Sequence, residues 1–321
     1  MAVKIRDYEV RLTRTQDERR LVRQLRYRCF VLENGFPATE EMKDLAEEWD
    51  DFDQHAEYMA VFHNGIIVGT YRIIDKEAAE KIGGFYTETE FDIARIKRRK
   101  GNMAEMSRAC VDKEYRDNPL VLSMLWIGLG EYIQRKRIQI LFGVAGWAGS
   151  VNPANHAHAL SYMYYYHLAP MSLRVTPAHD KMDPSVNPKM TRMNILQKQF
   201  VDKDLAIRQM TPLQRGYLRL NAKFGKGTCI IPKENEIDVF VVCLTKDISK
   251  AYQKRFMGNE NAFDSLGLRS TPMQMLGKLM MLPFKGMFIT IKSVAGLFLT
   301  DKDLEDAEII EDEDKLVGNG E

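Results

Sequence analysis

The segment MAEMSRACV, residues 103–111, decides the architecture of this chain. It is mainly apolar and lies between two polar stretches that favour turns, which is typical of a strand inside a sheet. Successive side chains of a strand point to opposite faces. Regular alternation separates two groups: Glu105 and Ser107 on one face, and Met106, Arg108 and Cys110 on the other. If Glu105 and Arg108 are to line one site, the strand must bulge between them.

The sequence on both sides of this segment predicts a sheet flanked by helices. An Asn-Gly pair at residues 64–65, between apolar runs at 58–62 and 66–74, indicates a β-hairpin. Pro119 is suited to the first turn of a helix that continues to about Lys136 with apolar residues at helical spacing. Further strands are expected at residues 8–12, 138–147, 172–175 and 237–244, and further helices at 15–30, 153–167 and 212–224. Helices interleaved with a mixed sheet predict the α/β or α+β class.

Composition excludes several classes of protein. The chain has 321 residues, of which 45% are hydrophobic and 28% charged, as in a folded globular protein that forms its own core. The four cysteines form no CxxC pair, which disfavours a zinc knuckle or a disulfide framework and fits a reducing cytoplasm. No apolar signal region begins the chain, and no apolar run is long enough to span a bilayer. A cytoplasmic location is therefore expected.

Charge is distributed unevenly along the chain. Residues 301–321 contain ten acidic residues and two lysines, a net charge of −8, which leaves +9 on residues 1–300. A basic body suits an anionic partner, and the acidic end is expected to be a disordered tail. Residues 271–300 are apolar, with lysines on one helical stripe, and predict either a helix at the inner membrane surface or a helix docked on the body or a second subunit. The expected division is 1–257, 258–300 and 301–321.

Two charged residues inside apolar strands are candidates for chemistry. A buried Glu105 has a raised pKa, which suits a general base near neutral pH, although a structural pair of Glu105 with Arg108 explains it equally well. Arg72 in the hairpin needs a carboxylate or phosphate, and Asp50 or Asp53 can supply one. The alternative for Arg72 is a salt bridge that closes the preceding loop.

Other familiar types of site find no support. Cys110 in an apolar strand is best explained as a small core residue. His156, His158 and His167 do not have the spacing of a zinc site, so no metal is expected. The sequence has no Walker A, GxGxxG or GxSxG motif, which leaves nucleotide phosphate binding and serine hydrolysis without support.

Four motifs of the first half resemble the acyl-homoserine-lactone synthases and their relatives with the GNAT fold: LRYRCF (25–30), EEWDDFDQH (47–55), IIVGTYRII (66–74) and AEMSRACVDKEYR (104–116). The resemblance implies a mixed, mostly antiparallel and twisted sheet flanked by helices. It also places site residues of that group on Arg26, Phe30, Asp50, Asp53, Arg72, Glu105 and Arg108.

Two motifs of the second half resemble the L-ornithine Nα-acyltransferases: NPANHAHALSYMYYYHLAP (152–170) and TPLQRGYLRLNAKFGKGTCI (211–230). This resemblance implies transfer of a 3-hydroxyacyl chain from acyl carrier protein to the α-amine of ornithine, which gives lyso-ornithine lipid. Ordinary coenzyme A-dependent GNAT enzymes have a glycine-rich pyrophosphate loop after the strand that carries the glutamate, but KEYRDNPLVLS (113–123) contains no glycine. The donor is therefore expected to be the phosphopantetheine of an acidic carrier protein, with no separate cofactor.

The resemblance implies direct aminolysis of a thioester. Glu105 would act as base through water, and main-chain amides around Ser107–Ala109 would stabilise the oxyanion. The predicted catalytic residues are Glu105, Ser107 and Arg108, and the predicted substrate-binding residues are Arg26, Phe30, Asp50, Asp53 and Arg72. Asp50 and Asp53 would bind ammonium groups and Arg72 the acceptor carboxylate. Helix 119–133 and strand 138–147 would bound an acyl tunnel. Two alternatives stay open, namely another acceptor such as glycine or lysine, and a non-catalytic module that binds an acyl carrier or lipid. No nucleic-acid partner is expected.

Overall fold

The computed structural model describes residues 2–248 and 307–310. Its strands are β1 (Ala2–Ile5), β2 (Tyr8–Leu12), β3 (Glu57–His63), β4 (Ile66–Asp75), β5 (Phe91–Asp92), β6 (Asn102–Val111), β7 (Ile138–Ala148), β8 (Thr176–Pro177), β9 (Lys223–Ile231), β10 (Glu236–Leu244) and β11 (Ala307–Ile310). Its helices are α1 (Gln16–Arg26), α2 (Glu40–Leu45), α3 (Lys76–Ile82), α4 (Ala94–Lys97), α5 (Pro119–Lys136), α6 (Ala157–Tyr166), α7 (Lys203–Gln209) and α8 (Pro212–Arg219). A π-helical turn, Tyr27–Glu33, continues α1.

One nine-stranded sheet organises these elements. Its strand order is β11-β1-β2-β3-β4-β6-β7-β10-β9, and β5 pairs separately with β8. Neighbours in the large sheet are antiparallel except β6 and β7, which are parallel. Parallel neighbours need a crossover connection, and α5 provides it. The sheet is mixed and mostly antiparallel with helices beside it, which confirms the predicted fold class.

Helices cover both faces of the sheet. Helix α5 begins where predicted, with the Asn118 side chain accepting a hydrogen bond from the main-chain nitrogen of Leu120. It packs on β2, β3, β4 and β7, and Gly128 allows the close approach because a Cβ there would clash with Val10 and Met59. On the other face α1 packs against β3, β4 and β6. The site described below lies on the α1 face.

The structure differs from the expected elements at several places, and the most instructive lie in the second half of the chain. Residues 172–175 are not a strand, because the pairing with β5 is made by the next two residues, Thr176–Pro177. The helix expected at 212–224 ends at Arg219, and Asn221 follows with a left-handed φ of +62°. Strand β9 then begins at Lys223. Sequence pattern missed this strand because its glycines weaken the strand signal.

Several predictions concern residues outside the described part of the chain. The apolar appendage 258–300, with its membrane-surface segment 271–300, lies outside it. Of the acidic tail 301–321, the described part is Ala307–Ile310, which pairs with β1 at the edge of the sheet. The predicted domain boundaries stay predictions. Among residues 2–248 and 307–310, no helix has both the length and the apolar character to cross a membrane.

Candidate active site

Strands β6 and β7 pair over part of their length and then diverge. Their parallel ladder extends from the pair Asn102–Ile138 to the pair Met106–Gly143. Farther along, β6 remains paired with β4, and β7 remains paired with β10. A gap therefore opens near the centre of the sheet. Along this gap, the main-chain groups of β6 after Met106 have no partner on β7.

A β-bulge at Arg108 lies at the start of the gap. Arg72 of β4 lies opposite Ser107, but Thr70 lies opposite Cys110, so Tyr71 faces two residues of β6. The φ angle of Arg108 is +49°, in the left-handed region that residues other than glycine rarely adopt. A bulge inserts one extra residue into one strand of an antiparallel pair, and this geometry fulfils that description.

The bulge reverses the alternation of side chains along β6. The prediction from regular alternation, that Arg108 and Cys110 share the face of Met106, is wrong because the extra residue turns them to the other face. Cys110 instead packs beside the apolar cluster of α1, whereas Ala109 and Val111 pack on the α5 side. Glu105 and Arg108 consequently lie on one face, as they must if both are to line one site.

Glu105 is buried between β6 and the 3-10 turn Tyr86–Thr89. Its Oε1 accepts hydrogen bonds from the main-chain nitrogen and from the Oγ1 of Thr87, each 3.0 Å long. Its Oε2 is also buried and accepts none from the described residues. Burial raises the pKa of Glu105 to about 7, although the nearby Arg72 guanidinium opposes the rise. A carboxyl group that titrates near neutral pH is suited to general acid–base catalysis.

The loop before β3 forms a buried ion-pair network with Arg26 and Arg72, both of which are fully buried. Arg26 donates two hydrogen bonds to Asp53, 2.8 and 3.0 Å long, and Arg72 reaches both Asp50 and Asp53. Burial opposes ionisation of Asp53, but the two guanidinium groups outweigh it and hold its pKa below the usual range. Arg72 therefore finds the carboxylates that its burial requires, and the loop is closed as the structural alternative predicted.

This network limits what Asp53 can bind. Both of its oxygens already accept hydrogen bonds, from the two arginines and from the main-chain nitrogen of Asp50. Asp50 keeps one buried oxygen, Oδ2, without a hydrogen bond. That the two aspartates bind ammonium groups stays a prediction, and of the two only Asp50 has an oxygen that accepts no hydrogen bond from the described residues.

Arg108 extends across the site from the other side. Its guanidinium lies 3.5 Å from a Glu48 oxygen and 3.6 Å from Asp50 Oδ2. Its central carbon lies 5.6 Å from the ring centroid of Phe30 and 5.1 Å from that of Tyr86. Phe30 is half-buried in the π-helical turn. Glu48 lies within the acidic motif at 47–55 but was not among the predicted site residues, and Tyr86 had no signal in the sequence; packing brings both here.

The structure thus brings all eight predicted residues to one region. Ser107 completes the set, since its Oγ accepts a 2.9 Å hydrogen bond from Arg72 Nε. Four of these eight residues each have a buried polar atom without a hydrogen-bond partner among the described residues: Glu105 Oε2, Arg72 Nη2, Asp50 Oδ2 and Arg108 Nε. Buried polar groups are nearly always hydrogen-bonded, so such a concentration is typical of a place where a polar ligand or ordered water binds.

Sequence reasoning missed a second set of acidic residues on the same face. Glu90 follows the 3-10 turn, and Glu236 and Asp238 belong to β10, opposite Ala148 and Gly146 of β7. All three have raised pKa values for which burial is the main cause, about 8 for Glu90 and about 9 for Glu236. The separation of almost 150 residues along the chain hid this cluster, although EIDVF within an apolar strand was a signal for it.

An apolar cavity adjoins the last β6–β7 pair on the α5 side of the sheet. Its volume is about 30 Å³. Six residues that line it are Tyr71, Met106, Trp126, Leu129, Leu141 and Tyr217. A cavity needs roughly 10–15 Å³ of this kind of volume to hold one water molecule, so this cavity must widen before it can hold an acyl chain. It lies where α5 and β7 were expected to bound an acyl tunnel.

Comparisons with known proteins give the family. The model of the acetyltransferase (GNAT) domain matches residues 25–126, which include every predicted site residue. A solved structure, FeeM, an N-acyl amino acid synthase from uncultured soil microbes, has a TM-score of 0.41 and 13% identity and covers 74% of this chain and 91% of that one.

Two relatives are similar over most of their length. An L-ornithine N(alpha)-acyltransferase of Brucella abortus (strain 2308) is 33% identical over 272 residues, 81% of this chain and 92% of that protein. The L-ornithine N(alpha)-acyltransferase of Rhodobacter capsulatus is 29% identical over 261 residues, 79% of this chain and 96% of that protein. These similarities extend far beyond the GNAT motifs shared with other acyltransferases, and the chain therefore belongs to the L-ornithine N(alpha)-acyltransferase family.

Proposed function

We propose that this chain transfers a (3-hydroxy)acyl group from the phosphopantetheine thioester of acyl carrier protein to the α-amine of ornithine, forming lyso-ornithine lipid. The amine nitrogen forms an amide bond with the acyl carbon, the carbon–sulfur bond breaks, and the proton lost by the amine balances the thiol released on the carrier arm. The observation that carries the proposal is Glu105, buried beside the β6–β7 gap with one oxygen free.

Glu105 is proposed to remove the amine proton, directly or through one water. The reaction needs a neutral amine and an ionised base. Burial raises the pKa of Glu105 to about 7, so near neutral pH a fraction of this group is ionised and still basic enough to accept the proton. The main-chain N–H groups of residues 107–109 that face the gap are proposed to stabilise the oxyanion of the tetrahedral intermediate. The left-handed φ angle of Arg108 changes the direction of these N–H groups from that in a regular strand.

The acceptor carboxylate is proposed to bind the cationic side of the site. Arg72 Nη2 and Arg108 Nε are both buried and have no hydrogen-bond partner in the part of the chain that the structure describes. A carboxylate that bound there would satisfy these donors with charge-assisted bonds. The acyl chain would enter the apolar cavity beside Met106, with Trp126 and Tyr217 moving aside.

The connection from β6 to α5 supports a carrier protein as donor. Residues 112–118 contain no glycine, and Pro119 removes one N–H from the first turn of α5. The main-chain nitrogen of Leu120 is already bonded to the Asn118 side chain, so this helix terminus offers a pyrophosphate neither a glycine-rich loop nor a row of free amides. A phosphopantetheine arm without the nucleotide does not need such a site. The net charge of +9 on residues 1–300 would attract an acidic carrier.

The direct test is an assay with defined donors and acceptors. The purified chain is incubated with 3-hydroxyacyl carrier protein or the matching acyl coenzyme A, and with ornithine, lysine or glycine. We expect N-acyl-ornithine by mass spectrometry, with fragmentation that places the acyl group on the α-nitrogen. Faster reaction with another amino acid would change the acceptor, and faster reaction with coenzyme A would refute the donor. Carrier binding without any product would favour the non-catalytic module.

We also propose that the chain works at the inner face of the cytoplasmic membrane, because the sequence of residues 271–300 is apolar and its lysines, spaced seven residues apart, would share one stripe of a helix. Such a position would deliver an acylated product directly to the bilayer. Flotation of the full chain with anionic vesicles is the test. Loss of flotation after deletion of 271–300 is the expected result, and equal flotation of both forms would contradict it.

A further inference from the structure

The acidic residues Glu90, Glu236 and Asp238, here called the acidic pocket, are not used by the mechanism above. No Lys or Arg within residues 2–248 and 307–310 forms an ion pair with any of them, although Glu48 and Asp53, which are also buried on this face, are paired with arginines. Several carboxyl groups buried together without a cation are costly, because each disfavours ionisation of the next. The fold therefore buries three carboxyl groups together without a cationic side chain from the described residues to pair with them.

Glu90 gives the most direct sign of a missing partner. Its side chain is buried, with 4% of the residue exposed, and neither carboxylate oxygen accepts a hydrogen bond from the described residues. The carboxyl groups of Asp238 and Glu236 both lie near enough to influence the pKa of Glu90, so the Glu90 carboxyl faces these two residues. Ionised carboxylates have no proton to donate, so these neighbours can satisfy Glu90 only in a protonated form, which their raised pKa values favour and which a bound cation would reverse.

The backbone of β7 leaves room for this pocket. Asp238 lies opposite Gly146, and a Cβ at Gly146 would clash with Asp238 Oδ1 and with Glu236 Oε1. Any side chain at this position would therefore displace the carboxylates. Glu236 is only partly buried, which leaves an approach to the pocket from solvent.

The acidic pocket is connected to the reaction site by one short element. In the 3-10 turn Tyr86–Thr89, Thr87 donates two hydrogen bonds to Glu105. The neighbouring Tyr86 acts on Glu90 through its phenol and lies under the guanidinium of Arg108. Gly146 follows Gly143, the end of the β6–β7 ladder, by three residues, which is roughly 10 Å along a strand. The proposed base and the acidic pocket are thus neighbours on one face.

We infer that Glu90, Glu236 and Asp238 bind the terminal ammonium group of a diamino-acid acceptor and so select ornithine over neutral amino acids of the same length. An ammonium group brings three N–H donors and one positive charge, which is what the pocket lacks. A metal ion is a weaker choice, because the described residues contain no group of three or more ligands arranged to hold one. The inference rests on the proposed function and specifies how its acceptor is recognised.

The test compares ornithine with norvaline, which has the same carbon chain without the terminal amine. Glu90→Gln and Asp238→Asn, singly and together, keep side-chain size and remove charge, and Glu131→Gln on α5 is the control. We expect the double variant to lower kcat/KM for ornithine about ten- to a hundredfold, mainly through KM, as for loss of charge-assisted hydrogen bonds. The rate with norvaline should stay unchanged or rise. Equal losses for both acceptors, or an unchanged preference, would overturn the inference.

A binding measurement separates failure of this inference from failure of the proposed function. Isothermal titration with ornithine and with norvaline is done on the full chain, with and without acyl carrier protein. Preferential binding of ornithine that the Glu90→Gln and Asp238→Asn changes abolish would support the pocket even if no acylation is seen. Equal binding of both amino acids by the unchanged chain would refute the pocket. Melting temperatures of all variants show whether each is folded.

Discussion

Replacing Glu105 with glutamine should stabilise the protein while it removes activity. Glutamine has the same shape and can still accept both hydrogen bonds from Thr87 through its Oε1. It avoids ionising a group that the fold buries completely. Because burial raises the pKa of Glu105 from 4.5 to about 7, and one pKa unit corresponds to about 1.4 kcal/mol, the carboxylate should cost the folded state roughly 3 kcal/mol above neutral pH.

The pH dependence has a definite sign. A group whose pKa is higher in the folded state favours folding fully below its unfolded pKa, near 4.5, and loses this contribution as the pH rises through its folded pKa, about 7. The free energy of unfolding of Glu105→Gln should therefore match that of the unchanged protein near pH 4.5. At pH 8 it should exceed it by roughly 3 kcal/mol. The difference between the two proteins isolates Glu105, since the other buried acids are common to both.

Urea unfolding followed by tryptophan fluorescence at pH 5 and pH 8 measures this difference, with Glu131→Gln as a variant outside the site. The rate of acyl transfer should fall about 10²- to 10⁴-fold, as for loss of a general base. A Glu105→Gln variant that is less stable than the unchanged protein at pH 8 would refute the reasoning. It would show that the ionised carboxylate serves as a structural partner of the neighbouring arginines. An undiminished rate would remove Glu105 from the mechanism.

Two further outcomes follow from the same network and cavity. Asp53→Ala leaves the buried Arg26 and Arg72 without their shared carboxylate and should cost about 3–5 kcal/mol in the free energy of unfolding. Glu40→Ala, which removes an exposed pair with Lys43, should cost less than about 0.5 kcal/mol by the same urea titration. Similar losses for both variants would show that the buried ion pairs stabilise the fold no more than an exposed one. Trp126→Ala should widen the apolar cavity and shift the products towards longer acyl chains in mass spectrometry of mixed-donor reactions, and an unchanged chain-length distribution would place the acyl group elsewhere.

Much of the fold was predictable because short sequence signals, such as turn pairs and helix-starting prolines, act on the few residues around them. The Asn64-Gly65 turn does join β3 to β4, with φ angles of +49° and +81° at its two residues. Pro119 does begin α5. In contrast, β9 was missed because its glycines are accommodated by neighbours that only the folded sheet provides: a Cβ at Gly225 would crowd Val175 and Phe240.

The candidate site was predictable as a set of residues but not as an arrangement. Strand alternation separated Glu105 from Arg108, and a single backbone torsion at Arg108 reunites them. Nothing in the letters MSRAC indicates a left-handed arginine. For the acidic pocket the sequence carried a signal, EIDVF at 236–240, but not the assembly, since the partners of this segment depend on β10 lying beside β7 in the sheet.

The bulge also determines how β6 can be aligned and recombined with other strands. Arg108 acts as a one-residue insertion, so matching β6 to a regular strand requires a gap at this position. Because a shift of one residue exchanges the two faces of a strand, a chimera joined by simple counting after residue 108 would turn Ala109 and Val111 away from the α5 core. A junction placed before Met106 carries the insertion with its downstream residues and keeps both faces correct.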